Sequence, residues 1–193
     1  MLLYGLTDQS EDLDFKRLIL DRMTSAFPDA PSTKMVRASL DLLEMVGKPI
    51  DLAFDDAITG HPVSIKGLKG KVVVLDFWAT WCGPCIAEMP RMKDLYAKYK
   101  DRGVEFIGVS LDSPKEDGGL DSLKAFVAEK QIPWPQYYQG DYWDSEFSMS
   151  WGVSGIPCVF LVDADGNLAS VKARGKLDKL IPEYLQKAHA DIK

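Results

Sequence analysis

KVVVLDFWATWCGPCIAEMP, residues 71–90, is the most informative segment of the chain. Its first part, residues 71–78, has the β-branched and aromatic content of a buried strand, while residues 86–100 show the apolar period of an amphipathic helix. Cys82 therefore lies at the start of a helix, where unpaired backbone N–H groups and the helix dipole stabilise a thiolate. Cys85 lies one turn further along, close enough to attack a mixed disulfide on Cys82. The segment predicts a redox-active cysteine pair.

The composition argues against several other classes of protein. With 193 residues, 46% of them hydrophobic, the chain can bury a full core. A net charge of -6 argues against nucleic acid or an anionic membrane as the main partner, because both bind clustered Lys and Arg. Three cysteines are too few for a disulfide scaffold, and two histidines make a closed zinc site hard to assemble. Two thiolates alone leave half of a zinc coordination sphere empty, so we expect no metal site.

The sequence contains no obvious membrane or export segment. No stretch approaches the roughly 20 consecutive apolar residues of a membrane helix. The start, MLLYGLTDQSEDLDF, lacks the basic segment followed by an apolar run that is typical of an export signal. Two explanations stay open: a cytosolic protein, or an exported protein whose signal and anchor lie outside this sequence.

The first 46 residues predict a helical hairpin ahead of the main domain. Apolar spacing favours a helix over residues 11–27, followed by turn-forming prolines and a second helix that Ser32 or Thr33 can cap. We interpret residues 1–46 as a helical N-terminal extension and residues 47–193 as the main domain. The extension packs on that domain, is the tail of a larger module, or docks a partner.

The rest of the chain alternates between strand and helix patterns. A short hairpin enters the domain, two buried strands with their helices follow, and a DADG turn joins two further strands before a final helix. The predicted strands are residues 50–54, 62–65, 71–78, 104–111, 132–138, 158–162 and 168–174. The helices after residues 86–100 are residues 120–130 and 177–188. This order predicts an α/β fold, a three-layer α/β/α sandwich around a central mixed sheet.

Two strings resemble the thioredoxin superfamily, and more closely its TlpA/ResA-like thiol-disulfide oxidoreductases. They are FWATWCGPCIAEMP, residues 77–90, and GIP, residues 155–157, before the strand CVFLVD. The likeness covers about residues 47–190 and implies a thioredoxin-like fold. It implies that Cys82 attacks a disulfide and that Cys85 resolves the mixed disulfide, so that the Cys82–Cys85 disulfide serves in place of a bound cofactor.

The resemblance also assigns roles to two prolines. Pro90, five residues after Cys85, matches a proline that kinks the active-site helix. Pro157 matches a proline that follows a cis peptide bond, in a loop that faces the cysteines and holds the substrate backbone. Without the resemblance we would expect a trans bond at Pro157, since only about 5–6% of such bonds are cis.

Two acidic residues are candidates for proton transfer. Asp76 matches the buried aspartate of thioredoxins, which by resemblance takes a proton from the resolving cysteine; burial raises the pKa of a carboxyl group and suits it to act as a base near neutral pH. Glu88 matches the acidic residue of the TlpA/ResA pattern, which by resemblance tunes the cysteines and contacts substrate. A chain with both Asp76 and Glu88 departs from the TlpA/ResA pattern. The alternatives are a hydrogen-bonded residue at the strand end for Asp76 and a solvated surface charge for Glu88.

The predicted substrate-binding site flanks the cysteine pair. Trp81, beside Cys82, is expected in an exposed apolar rim that receives a polypeptide or a thiol, whereas Trp78 is expected in the core. The predicted substrate-binding residues are Trp81, Gly83, Pro84, Ile156 and Pro157.

Cys158 is the odd cysteine, directly after the predicted cis-proline. A cysteine in a buried strand is expected to be an inert, small hydrophobic residue. The alternative is a regulatory or trapping thiol, because the cis-proline loop lies near the redox pair.

These observations predict a thiol-disulfide oxidoreductase that reduces protein disulfides. Its expected partners are a protein or small-molecule disulfide or thiol and an unidentified electron donor, and we expect a monomer. TlpA/ResA-like proteins are mostly exported, so the resemblance implies the periplasm or cell envelope, with the cytoplasm as second choice. Two other functions stay open. One is a peroxide reductase of the related peroxiredoxin group, whose lone peroxidatic cysteine is replaced here by WCGPC; the other is a partner-docking module with a vestigial redox pair.

Overall fold

A five-stranded mixed sheet lies at the centre of the computed structural model, which describes residues 12–115, 117–145 and 151–190. The helices are α1 (Leu13–Ala26), α2 (Pro31–Glu44), α3 (Gly83–Tyr99), α4 (Gly119–Lys130) and α5 (Leu177–Ala190). The strands are β1 (Ala53–Asp55), β2 (Pro62–Ser64), β3 (Val72–Trp78), β4 (Val104–Ser110), β5 (Gln136–Tyr138), β6 (Cys158–Val162) and β7 (Leu168–Ser170). None of the described helices is both long and apolar enough to span a membrane.

The strand order in the sheet is β5-β4-β3-β6-β7, with β3 at its centre. β3 pairs in parallel with β4, which pairs in parallel with β5, while β6 runs antiparallel to both β3 and β7. β1 and β2 form a separate antiparallel ribbon. With helices α3, α4 and α5 flanking the sheet, the predicted three-layer sandwich is confirmed.

β3 is buried along its whole length, which explains its composition. All seven residues of VVVLDFW are buried, as expected for a central strand covered on both faces. Trp78 is fully buried, as predicted, and its indole N–H donates to Gln136 Oε1 at 3.0 Å. Asp76 is the single charged residue of this strand. A carboxyl group is unfavourable in a buried strand, because burial disfavours its ionised form, so Asp76 is a candidate functional residue.

The N-terminal helices pack on each other through a small apolar cluster of their own. Its members are Ile19, Leu20, Met23, Val36 and Leu40. The expected caps for the second helix were wrong: α2 begins at Pro31, its N-cap is Ala30, and Ala30 makes no side-chain capping hydrogen bond. Proline at the first position of a helix needs no N–H partner and has a suitable φ. The Thr33 hydroxyl instead donates to the carbonyl oxygen of Phe27 at 2.7 Å.

The helix pair is joined to the sheet by backbone hydrogen bonds. The N–H of Gly47 donates to the carbonyl of Leu168 at 2.8 Å, and the N–H of Leu168 donates to the carbonyl of Lys48 at 2.9 Å. Earlier in the chain, near the end of α2, Leu42 and Leu43 pack against the core of the main domain. Residues 1–11 of the predicted extension lie outside the described residues, and the domain boundary at residue 46 stays a prediction.

The chain leaves the last strand earlier than predicted. β7 ends at Ser170 rather than at residue 174, because the following segment turns toward β6, where the N–H of Ala173 donates to the carbonyl of Val159 at 3.0 Å. A turn through Gly175, with a φ of 73°, then leads into α5. Arg174 thus directly follows a residue bonded to β6, the strand next to the central strand β3.

Candidate active site

The two cysteines lie where the sequence predicts, at the junction between β3 and α3. Cys82 is the N-cap residue of α3, and its sulfur accepts a hydrogen bond from the N–H of Cys85 at 3.2 Å. The two residues form a disulfide with 5.3 Å between their Cα atoms, and each is 4% exposed. Pro90 lies inside α3, as expected. The helix start thus supplies an N–H donor to the sulfur of Cys82, which is what stabilises negative charge there.

A buried hydrogen-bond network holds the loop just before the cysteines. The carboxylate of Asp112 accepts from the N–H of Thr80 at 2.9 Å, from the Thr80 hydroxyl at 2.6 Å and from the Ser110 hydroxyl at 2.7 Å. Burial raises the pKa of Asp112, and the hydrogen bonds from Thr80 and Ser110 oppose that effect. Asp112 therefore ties the end of β4 to the residue two positions before Cys82.

Asp76 lies in the middle of β3 and is buried, with 5% of its surface exposed. Its register partners are Gly108 on β4 and Val159 on β6, so the alternative of a residue at the strand end is wrong. Burial raises the pKa of Asp76 to about 7, with a further increase from the negative charge of Glu88 and an opposing effect of Arg174. A group with this pKa exists in both protonation states near neutral pH, as a general acid or base must.

Glu88 is held in an ion pair rather than free in solvent. Arg174 donates to its carboxylate from two nitrogens, with Nη2 to Oε1 at 2.6 Å, Nε to Oε1 at 3.0 Å and Nε to Oε2 at 3.2 Å. The hydrogen bonds to Glu88 also raise the pKa of Arg174. A planar guanidinium that meets both oxygens of a carboxylate fixes its orientation as well as its charge. Glu88 is a surface residue with 33% of its side chain exposed, as the alternative of a surface charge expects, but its charge is paired with that of Arg174.

The cis peptide bond predicted before Pro157 is confirmed, between Ile156 and Pro157. Both residues are half-buried, next to the start of β6. Cys158 follows, is also half-buried, and pairs in register with Phe77 of β3. It takes no part in the disulfide and lines a cavity of about 260 Å³ between α2 and the cis-proline loop. Its chemical role stays a prediction.

An aromatic cluster forms the rim beside the cysteines. Trp81 is 39% exposed, and its ring lies 5.3 Å from that of Tyr142 and 6.4 Å from that of Trp143, measured between centroids. Tyr142 has a φ of 53°, a left-handed conformation that side-chain-bearing residues rarely adopt. Gly83 and Pro84 are exposed at the same helix start. We call the cluster of Trp81, Tyr142 and Trp143 the aromatic rim.

Sequence reasoning missed several residues of this site. Arg174 carries no local signal, because its partner Glu88 lies 86 positions away on another element. Asp112 had a weak signal, since polar residues just beyond the carboxyl end of a parallel strand are often functional. Within the described part of the chain, no group of three or more His, Cys, Asp or Glu side chains is arranged to hold a metal ion.

Comparisons with known proteins agree with this geometry. Residues 46–171 match the model of the AhpC/TSA family. The thiol-disulfide oxidoreductase ResA of Bacillus thuringiensis subsp. konkukian is 36% identical over 130 residues, which are 67% of this chain and 70% of the relative.

Two solved structures from Bacteroides vulgatus are similar. One, a thioredoxin-like protein, is 28% identical with a TM-score of 0.61, over 74% of this chain and 89% of that one. The other, the thioredoxin domain of a thiol-disulfide oxidoreductase, is 27% identical with a TM-score of 0.58, over 72% and 94% respectively. The predicted thioredoxin-like fold is confirmed.

Proposed function

The chain belongs to the AhpC/TSA family, as a thioredoxin-superfamily protein of the TlpA/ResA type, and we propose that it is a thiol-disulfide oxidoreductase that reduces protein disulfides. One observation carries the proposal. The Cys82–Cys85 pair sits at the start of α3, next to the strand that holds the buried carboxyl group of Asp76. Relatives named thiol-disulfide oxidoreductases support the same activity.

The reaction starts from the reduced pair and proceeds in two exchanges. The thiolate of Cys82, stabilised by the helix start, attacks one sulfur of a substrate disulfide. The bond between the substrate sulfurs breaks, one substrate thiolate leaves, and a mixed disulfide joins Cys82 to the other. Asp76 then takes the proton of Cys85, whose thiolate attacks the sulfur of Cys82. The second substrate thiolate leaves, so that the substrate gains two electrons and the cysteine pair loses two.

Two structural features support the substrate side of this proposal. The aromatic rim offers an exposed apolar surface beside Cys82, suited to apolar side chains of an unfolded or flexible polypeptide. The cis-proline loop with Ile156 and Pro157 offers backbone groups directly before the start of β6. Trp81, Gly83, Pro84, Ile156 and Pro157 thus stay the proposed substrate-binding residues.

The direction of the reaction depends on reduction potential. Gly-Pro between the cysteines is the dipeptide of thioredoxin, whose potential is about -270 mV, compared with about -120 mV for the strong oxidant DsbA. We therefore propose a reductant that uses the cysteine pair as its redox group, without a further cofactor. Each turnover then needs a dithiol donor to return the Cys82–Cys85 disulfide to the reduced state. A measured potential above about -150 mV contradicts this direction.

The test is disulfide reduction by the purified protein. With dithiothreitol as donor, we expect the wild type to reduce insulin disulfides, while Cys82→Ser is inactive. Cys85→Ser should accumulate a mixed disulfide with the substrate through Cys82, visible by mass spectrometry and reversed by reductant. Absence of both the activity and the trapped species contradicts the proposal. Peroxide consumption by Cys85→Ser, without disulfide exchange, would instead favour a peroxiredoxin-like function.

The proposed location and assembly follow from the family resemblance. We propose a monomer that acts outside the cytoplasm, in the periplasm or cell envelope, on protein thiols and disulfides. Fractionation of the native cells and light scattering of the purified protein test these two points. Docking of a partner through residues 1–46 stays a prediction, and loss of partner capture on their deletion tests it.

A further inference from the structure

The ion pair between Glu88 and Arg174 joins α3 to the turn before α5, a junction that the ion pair between Arg91 and Asp178 also bridges. Glu88 lies on α3, one turn after Cys85, while Arg174 lies in the turn before α5. Two nitrogens of the guanidinium donate to the carboxylate, at 2.6 and 3.0 Å. The side chains are 33% and 47% exposed, so the pair is worth little to overall stability. Its geometry therefore calls for another explanation.

The backbone places Arg174 beside the strand position of Asp76. Val159 on β6 is the register partner of Asp76, and its carbonyl accepts the N–H of Ala173 at 3.0 Å. Immediately afterwards, the N–H of Lys176 closes a turn on the carbonyl of Ala173 at 2.9 Å. Arg174 is thus held by backbone contacts on both sides, one strand away from the buried carboxyl group.

Among the described residues, two charged groups act on Asp76. Glu88 comes from α3 and Arg174 from the turn before α5, and these two are its electrostatic neighbours. Cys158, on the adjacent strand β6, acts on Arg174. Cys82 and Cys85, at the start of α3, are joined in the disulfide. Asp76 is therefore influenced by one negative charge and one positive charge, and these two charges are paired with each other.

We propose that Arg174 is a positioning residue for the redox cycle, which holds Glu88 and supplies the positive charge that keeps Asp76 able to take the proton of Cys85 near neutral pH. The inference rests on the proposed function. The sign of each effect follows from charge alone: Glu88 disfavours the carboxylate form of Asp76, and Arg174 favours it. Within the ion pair, Arg174 also offsets the charge of Glu88.

A purely structural role and this charge role predict different results for the two halves of the pair. Arg174→Gln and Glu88→Gln both break the same contact, so a structural role gives two changes of the same kind. Under the charge role, Arg174→Gln leaves Asp76 facing an uncompensated carboxylate and its ionisation moves to higher pH. Glu88→Gln removes the negative charge and leaves the positive charge of Arg174, so the ionisation of Asp76 moves to lower pH. Arg174→Lys keeps the charge and should stay close to the wild type.

The experiment follows the reduced protein with 5,5′-dithiobis(2-nitrobenzoate) by stopped flow from pH 5 to 9. Attack by Cys82 releases one thionitrobenzoate and leaves a mixed disulfide; attack by Cys85 then releases a second. The rate of the second release should rise with pH around the pKa of Asp76, about 7. We expect a midpoint higher by roughly half a pH unit or more for Arg174→Gln, and a lower midpoint for Glu88→Gln.

The outcomes separate this inference from the proposed function. A wild type that releases no second thionitrobenzoate contradicts the proposed function itself. A wild type with two releases, but variants whose midpoints are unchanged or move in the same direction, contradicts only the role of Arg174. A midpoint for Arg174→Lys that matches Arg174→Gln contradicts the requirement for positive charge.

Discussion

The carboxylate of Asp112 accepts hydrogen bonds from both the backbone N–H and the hydroxyl of Thr80, at 2.9 and 2.6 Å. Asp112 is fully buried, two residues after the end of β4, while Thr80 lies two residues before the attacking cysteine. The pair connects the ends of two neighbouring parallel strands across the sheet. The position of the cysteine loop therefore depends on a residue 32 positions further along the chain.

The first prediction concerns this contact. Thr80→Val removes the hydroxyl and leaves one hydrogen bond of a buried carboxylate unmade, so the free energy of unfolding should fall by roughly 1.5 to 3 kcal/mol. Thr80→Ser keeps the hydroxyl and should lose much less. Urea unfolding measures both, and alkylation of Cys82 by iodoacetamide in the reduced protein reports whether the loop has moved. Equal stability of the two variants would show that the hydroxyl contributes nothing.

The second prediction concerns the pH dependence of stability. The pKa of Asp76 is 3.8 without burial and about 7 in the folded protein. Between these values the folded state keeps a proton that the unfolded state has lost, so stability falls as pH rises through this window and then levels off. At about 1.4 kcal/mol per pH unit over this window, the total loss is at most about 4 to 5 kcal/mol.

Asp76→Asn cannot lose that proton, so the oxidised variant should gain stability relative to the wild type as pH rises from 4 to 7. The gain should level off above about pH 8, where Asp76 is ionised in the folded protein as well. Urea unfolding of both proteins at pH 4, 5, 6, 7 and 8 measures the difference. A difference that does not change with pH would mean that Asp76 is ionised in the folded state throughout. The same variant should lose the pH-dependent rise in the resolving step.

The third prediction concerns the aromatic rim. Trp81→Ala removes the exposed ring that contacts Tyr142 and Trp143, and should raise KM for insulin about tenfold, equivalent to about 1.4 kcal/mol of binding. The initial reaction of Cys82 with a small aromatic disulfide should change less, because that reagent needs less of the rim. Trp81→Phe keeps a ring and serves as the matched control. An unchanged KM for insulin in Trp81→Ala would exclude the rim from substrate binding.

The fourth prediction concerns the contact between α2 and the segment before the cis-proline loop. A Cβ atom on Gly152 would lie 3.0 Å from the carbonyl carbon and oxygen of Ala38, at a φ of 60°. Gly152→Ala should therefore loosen the N-terminal helices, with a cost about 1 kcal/mol or more beyond that of Gly60→Ala. Gly60 is the matched control because it has a similar φ of 73° and no atom within 4 Å of such a Cβ.

Limited proteolysis measures whether α1 and α2 become accessible in Gly152→Ala, and urea unfolding measures the cost. If the two glycine variants behave alike, then backbone strain explains the whole effect and the close contact with Ala38 has no energetic importance. If Gly152→Ala also slows insulin reduction, the helix pair contributes to the active-site face.

Local patterns in the sequence predicted the order of strands and helices and the place of the cysteine pair, while the bounds of strands such as β1, β5 and β7 came from the structure. The run VVVLDFW predicts a buried strand, and the glycine and proline after Cys82 predict the start of a helix. Both signals depend only on neighbours within a few residues. The position of Asp76 in that strand already indicated burial and a raised pKa. The cis bond before Pro157 was predictable only through family resemblance, because spacing alone favours trans.

Only the tertiary structure decided which distant groups meet around that pair. Arg174 reaches Glu88 across 86 positions because β7 ends early and the next segment bonds to β6. Asp112 reaches Thr80 because β3 and β4 are parallel neighbours whose ends lie together. Trp81 meets Trp143 from a different segment. Each contact depends on how elements pack, which local propensity does not encode, so the cysteines, Asp76 and Glu88 were visible in the sequence while the partners Arg174 and Asp112 were not.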